Sequence, residues 1–323
     1  MTIRMSDTTG KFSTNRTTMR VLVIGVTGLL GKVLLEEWDG DTITGVGSRE
    51  VDIRDHSQLS QLFGRCRPEW TILLAAYTDV DGCERDPKRA HEVNCGGAMN
   101  VARAARDARS KLLFVSTDYV FDGSKDTPYE PQDAVCPINA YGRSKAEAEK
   151  GIREILPSCC ILRTSWLFGA VGRCFPNTIL ELARNQKKLR VVADQIGSPT
   201  FSRDLARAIV KLVQADARGT VHASNAGECS WCDFARELVR AAGFEDVSVE
   251  AVRTEDVPRP ARRPSYSVLS NTSLERYAFH MRPWQETLGD YFADRLRASN
   301  VPQQAAPKTA AAGPLRAKSG EVR

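Results

Sequence analysis

The stretch Val21-Leu22-Val23-Ile24-Gly25-Val26-Thr27-Gly28-Leu29-Leu30-Gly31 decides the fold. Its first four residues are a short apolar, largely β-branched run closed by glycine, the pattern of a strand buried on both faces of a parallel sheet. Leu29 to Trp38 then reads as a helix, ended by Asp39-Gly40. Between strand and helix the glycines follow a GxxGxxG spacing. Gly25 permits the sharp turn, Gly28 lets backbone approach a pyrophosphate, and Gly31 lets helix and strand pack closely. The helix N-terminus adds free N–H groups and a positive dipole end. A glycine-rich turn alone is a weak signal. Its position at the head of an alternating strand–helix chain is what points to a dinucleotide.

That alternation continues outward. Ile43 to Val46 reads as a strand, and Ser57 to Cys66 as a helix with Ser57 as its cap, stopped before Pro68. Thr71 to Ala76 is the next strand, with Val51 to Ile53 as an optional extra one. A long helix is expected from Pro87 to Arg109, a strand from Lys111 to Ser116, a helix from Tyr141 to Ile155 and a strand from Cys159 to Thr164. This predicts an α/β fold: a Rossmann-type doubly wound parallel sheet with a smaller C-terminal substrate-binding lobe. Residues 19–165 would form the dinucleotide-binding domain, joined by a strand–helix piece near 189–214 that returns to the main sheet. The substrate-binding lobe would take 166–188 and 215–298, and residues 1–18 and 299–323 would be disordered tails. Ligands then gather outside the carboxyl ends of the strands, after Ile24, Ala76, Ser116 and Thr164.

Composition narrows the function classes. The longest apolar runs fall far short of the ~20 residues that span a bilayer, and no secretory segment opens the chain, so a cytoplasmic protein without membrane partners is expected. The formal net charge of +5 lies at the two ends, in Arg4, Lys11, Arg16 and Arg20 and in Lys308, Arg316, Lys318 and Arg323. Basic charge confined to tails argues against nucleic acid as a partner. Nine cysteines form no disulfide-like framework. Cys229 and Cys232 are the one close pair, and His56, His91, His222 and His280 are scattered singly, so no metal site is expected.

The cofactor candidates in the glycine turn are Gly25, Thr27, Gly28, Leu29, Leu30 and Gly31. At the end of the second strand an acid would bond a ribose 2′-hydroxyl, whereas an Arg would take a 2′-phosphate. The chain has Ser48 and Arg49 there, with no acid before Glu50, which favours NADPH and leaves NADH possible; Arg49 could equally sit in a solvated turn. Asp52 and Ile53 would bracket the adenine, and Ala75, Ala76, Tyr77 and Asn94 complete the set. Tyr141 and Lys145, four residues apart, share one helical face. A free phenol titrates near ~10, and an ammonium beside it would bring it toward working range as an acid–base group. As general acid Tyr141 would protonate the oxygen of a carbonyl receiving hydride, and Thr117 or Ser116, at the preceding strand end, would place a hydroxyl beside that oxygen. Lys145 would also reach the nicotinamide ribose.

The glycine turn, the strand-end Ser116-Thr117-Asp118 and the YxxxK pair resemble the extended short-chain dehydrogenase/reductases that handle nucleotide sugars. With Asp118-Tyr119-Val120-Phe121, Thr164-Ser165-Trp166, Asp194 to Thr200 and Ala261-Arg262-Arg263-Pro264, the chain is similar to the dTDP-4-dehydrorhamnose reductases from about residue 20 to 295. The resemblance implies reduction of the C4 ketone of dTDP-4-dehydro-6-deoxy-L-mannose, with Thr117, Tyr141 and Lys145 catalytic. It places Thr78, Val80, Thr117, Asp118 and Trp166 at the sugar and Arg262 or Arg263 at the diphosphate. Trp166 could instead be core, the arginines could serve surface ion pairs, and Asp118 could cap a turn. Family members often have Gln where Leu29 stands and Asn where Cys174 stands, which leaves room for a related dTDP-4-keto-deoxysugar or a non-catalytic cofactor-binding subunit. A glutamate that holds Mg²⁺ in some members falls at Val33, which cannot ligate a metal, so neither that metal nor its dimer carries over; a monomer or homodimer is expected.

Overall fold

Strand β1 (Arg20–Ile24) lies between β2 (Thr42–Val46) and β3 (Trp70–Leu73), and β3 leads on to β4 (Lys111–Thr117), β5 (Cys160–Thr164) and an edge strand Gly219–His222. The computed structural model describes residues 18–300, and every pairing in this six-stranded sheet is parallel. The chain leaves β1 toward β2 and then crosses back to β3, so the strand order reverses there and opens a crevice at the carboxyl ends.

Alternate side chains of β1 supply the two cores. Val21 and Val23 face helices α1 (Leu29–Glu37) and α8 (Ser202–Gln214), where Leu34, Leu205 and Ile209 are buried. Leu22 and Ile24 face α2 (His56–Cys66), α5 (Ala98–Asp107) and α6 (Ala140–Ile155), through Leu59, Val101 and Ile152. Between α2 and α5 lie α3 (Val80–Arg85) and α4 (Pro87–His91). A third core, with Phe168, Leu180, Val191, Phe234 and Trp284, joins α7 (Phe175–Asn185) and α9 (Trp231–Ala241) to a two-stranded sheet of Lys188–Val192 and Ser248–Val252.

Four details differ from the sequence expectation. The strand near 189 does not return to the main sheet: β5 offers one free edge, Gly219–His222 occupies it, and Lys188–Val192 pairs with Ser248–Val252 instead. Only α8 of that piece packs back, against α1. The cap of α2 is Asp55, whose carboxylate accepts from Ser57 N at 2.8 Å and Gln58 N at 3.1 Å, so the helix starts before Ser57. Val51 to Ile53 is not a strand. The long helix after Pro87 is interrupted by a π-helical turn, Glu92–Gly97, before α5 ends at Asp107. Such turns are rare and favour functional places. Here the turn carries Asn94. The expectations on residues 1–17 and 301–323 lie outside the described residues, and Ser299 belongs to the helix Thr287–Asn300.

Candidate active site

The first turn of α6 is fixed before its side chains are considered. Asn139 caps it, accepting from Gly142 N at 2.8 Å, while its own amide donates to the Arg262 carbonyl at 2.8 Å. Ala140 N donates to Glu84 at 2.7 Å. Gly142 packs so closely on the Tyr119 carbonyl that a Cβ there would collide with it. Tyr141 leaves this turn edge-on to Tyr119, with ring centroids 6.1 Å apart.

At the end of β4, the Thr117 hydroxyl donates to Asp118 at 2.9 Å and accepts from Tyr119 N. Asp118 also accepts from the Ser267 hydroxyl at 2.7 Å, a bond that ties the C-terminal lobe to the sheet. Burial pushes the Asp118 carboxyl up to about 6, because its partners are hydroxyls rather than cations. Burial also raises Tyr141, the Asp118 charge adds to this, and the nearby Thr117 hydroxyl pulls the other way. Lys145, 2 % exposed, donates to the Val115 carbonyl at 2.8 Å and sits 3.9 Å over the Phe114 ring. Burial pulls it down to about 7, with Glu149 opposing.

This corrects one expectation. The phenol is raised rather than lowered, because burial outweighs the other influences on it, and the Lys145 ammonium contacts the Val115 carbonyl and the Phe114 ring. The phenol is instead held protonated, the state that a proton donor requires.

The glycine turn fits a dinucleotide. Gly25 has φ +106, and a Cβ on it would lie 2.6 Å from Ala75 N, at the carboxyl end of β3. A Cβ on Gly31 would collide with the Gly25 carbonyl and Val26. Gly28 stands at the N-cap of α1 with no side chain capping it, which leaves the N–H groups of Leu29 and Leu30 for an anion. Thr27 packs against Gly47, and Ser48 and Arg49 are exposed at the end of β2. Glu50 folds back, accepting from Gly47 N at 2.8 Å. Asp52 is bonded to Arg54, which holds its carboxyl low, and Ile53 is buried against Gly97. Asn94 clamps Tyr77, accepting from its N–H at 2.7 Å and donating to its carbonyl at 3.0 Å and to Ser144 at 3.1 Å. Both amide hydrogens are therefore used inside the protein. Asn94 shapes the wall behind Ala75, Ala76 and Tyr77 and has no donor left for a ligand.

Of the sugar-site residues, Thr78 is exposed and Val80 half-buried beside it. Trp166 has φ +44 and stacks on Trp231 at 3.5 Å, with its ring over Gly197, where a Cβ would lie 2.6 Å from the indole nitrogen. A bulky residue in the left-handed region is strained, a feature that clusters at ligand sites. Arg262 is exposed, while Arg263 is buried and paired with Asp81 at 2.5 Å. Arg263 thus clasps the C-terminal lobe to α3, and Arg262 is the freer candidate for a diphosphate.

Sequence reading missed Asp81, Glu84, Asn139, Glu149 and Ser267. Only Glu149 left a trace, four residues beyond Lys145 on the same helical face. All nine cysteines are free, and burial pushes the thiols of Cys229 and Cys232 up. Among the described residues His91, Cys95 and Glu147 bring ligand atoms within 4.8 Å of one another, but His91 already bonds Glu147 at 2.8 Å and burial holds Cys95 as a thiol. No described helix is long and apolar enough to cross a membrane.

The sequence profile of the RmlD substrate binding domain family matches residues 19–297. The chain is 37% identical over 281 residues to the spore coat polysaccharide biosynthesis protein SpsK of Bacillus subtilis (strain 168), covering 86% of this chain and 99% of that one. It is 37% identical over 280 residues to a dTDP-4-dehydrorhamnose reductase of Mycolicibacterium smegmatis, covering 85% of each. Among solved structures it resembles the Bacillus anthracis dTDP-4-dehydrorhamnose reductase in complex with NADP, with a TM-score of 0.84, 38% identity, and coverage of 86% of this chain and 100% of that one.

Proposed function

The chain belongs to the RmlD substrate binding domain family, and on that premise we propose that it reduces the C4 ketone of dTDP-4-dehydro-6-deoxy-L-mannose with NADPH, giving dTDP-L-rhamnose, with Tyr141 as general acid. It is an oxidoreductase of the dTDP-4-dehydrorhamnose reductase type, acting on the ketone of a dTDP-sugar. NADPH is the cofactor, with NADH as the lesser alternative.

The observation that carries the reading is the convergence of Thr117, Tyr141 and Lys145 on the end of β4. The uncapped α1 turn and Arg49 would hold the pyrophosphate and 2′-phosphate, and Lys145 the nicotinamide ribose. When bound, the reduced nicotinamide supplies a hydride to the carbonyl carbon. The Tyr141 hydroxyl gives its proton to the ketone oxygen, and the Thr117 hydroxyl orients that oxygen by turning its hydrogen to it from Asp118. The phenolate left behind is stabilised by the Lys145 ammonium and regains its proton from solvent. Ketone, hydride and proton together give the alcohol. Thr78, Val80, Asp118, Trp166 and Arg262 would position the nucleotide sugar.

The test is an assay of the purified chain with NADPH and keto sugar generated by a dehydratase and an epimerase. Loss of NADPH absorbance only when the sugar is present, with dTDP-L-rhamnose identified by NMR, is expected. No oxidation, or a product of different configuration at C4, would overturn the assignment.

A further inference from the structure

We propose that Glu149 is a positioning residue for this reduction: a buried carboxylate, clamped by Arg163 one helical turn beyond Lys145, that keeps Lys145 an ammonium and docked on β4. Its kinetic readout rests on the function proposed above.

Tyr141, Lys145 and Glu149 stand at i, i+4 and i+8 and form one row along α6. The row meets the last residues of β4. Tyr141 faces Thr117, the Lys145 ammonium donates to the Val115 carbonyl, and Glu149 faces the buried Ser116 hydroxyl. An ammonium taken out of water against one carbonyl and one ring is costly unless an anion offsets it. Among the described residues Glu149, one helical turn along the same row, is the charge that favours the ammonium.

The anion must itself be fixed. Glu149 is 1 % exposed and Arg163 2 %, and they meet through two bonds, Nε to Oε1 at 2.9 Å and Nη2 to Oε2 at 2.6 Å. Such a fork holds both the charge and the orientation of a carboxylate. Arg153, on the same helix, adds a bond at 3.2 Å and reaches Thr220 on the edge strand at 2.9 Å. Arg163 is held in turn by the Pro131 carbonyl at 3.2 Å, the Phe121 ring at 5.0 Å and His222 at 3.4 Å. His222 is pushed down to about 3 by burial and by Arg163, so it brings no competing charge. The Cys159 thiol near Glu149 is pushed up by burial and is neutral as well. On the exposed side of α6, Glu147 pairs with His91.

Reduction needs Lys145 charged, so activity falls as pH rises through its titration. Removing the Glu149 charge moves that fall to lower pH. The test titrates the Lys145 side-chain nitrogen by nitrogen-15 NMR in the full chain with NADPH bound, in wild type, Glu149→Asp and Glu149→Gln. This needs no sugar, so its failure is separate from a failure of the proposed reaction. If Glu149→Gln does not fold, Glu149→Gln/Arg163→Gln is used, which removes both charges of the buried fork. The expected result is a midpoint lowered by ~1 pH unit or more in the neutral variant. Glu149→Asp should stay near wild type, and the alkaline limb of kcat/KM should shift in parallel. A folded neutral variant whose midpoint and limb stay in place, with activity lowered equally at every pH, would overturn the proposal.

Discussion

Asp118 and Glu149 are both buried carboxylates beside α6, 3 % and 1 % exposed, and their surroundings treat them oppositely. Asp118 bonds the hydroxyls of Thr117 and Ser267, and burial raises it to about 6. Glu149 meets burial of the same kind, yet the Arg163 fork and Arg153 hold it below the usual carboxylate range. Burial sets the penalty on a charge, and the partner decides whether the charge survives. The Asp118 end of the helix therefore suits proton transfer. The Glu149 end suits a fixed field.

Four measurements test this contrast. Tyr141→Phe acts at the Asp118 end and should lower turnover by ~10² to ~10⁴, the range for losing a general acid, with NADPH binding retained. Steady-state rates alongside cofactor titration check it, and near-normal turnover would remove the distinction between the two ends. Glu149→Leu leaves Arg163 as a buried, unpaired cation and should cost about 3–5 kcal/mol in denaturant unfolding. The double change Glu149→Leu/Arg163→Leu should recover much of that loss.

Asp118 predicts a smaller effect in stability against pH. Its pKa is raised on folding, from the 3.8 of a free carboxyl to about 6, so the native state holds the extra proton between those values. Stability is then highest below about pH 4 for this group and falls as pH rises through 6, by about 3 kcal/mol at most. Asp118→Asn should abolish that segment of the unfolding profile, and an unchanged profile would contradict the account. The smallest effect is expected at Arg153, whose side chain is 42 % exposed beside Glu149. Arg153→Ala should change stability by less than ~1 kcal/mol, because solvent screens the pair. A loss as large as that of Glu149→Leu would show that Arg153, rather than Arg163, fixes the carboxylate.

Whatever depends on neighbours along the chain was readable from the order of residues. The run Val21 to Ile24, the glycines at 25, 28 and 31, and the repeated strand–helix alternation carry a parallel sheet with a phosphate-binding turn, because turn sterics and helical or strand periodicity act over a few residues. Tyr141 and Lys145 were legible for the same reason, as one face of one helix. Where the main sheet ends was not legible: Lys188–Val192 and Gly219–His222 are both short strands, and only the assembled sheet shows which one meets β5. Nor were the charges of the site. Asp118 meets Ser267, Arg263 meets Asp81 and Asn139 meets the Arg262 carbonyl across more than a hundred residues. A side chain's pKa and orientation follow from the water it loses and the partner it gains, and both are supplied by segments that only folding brings together.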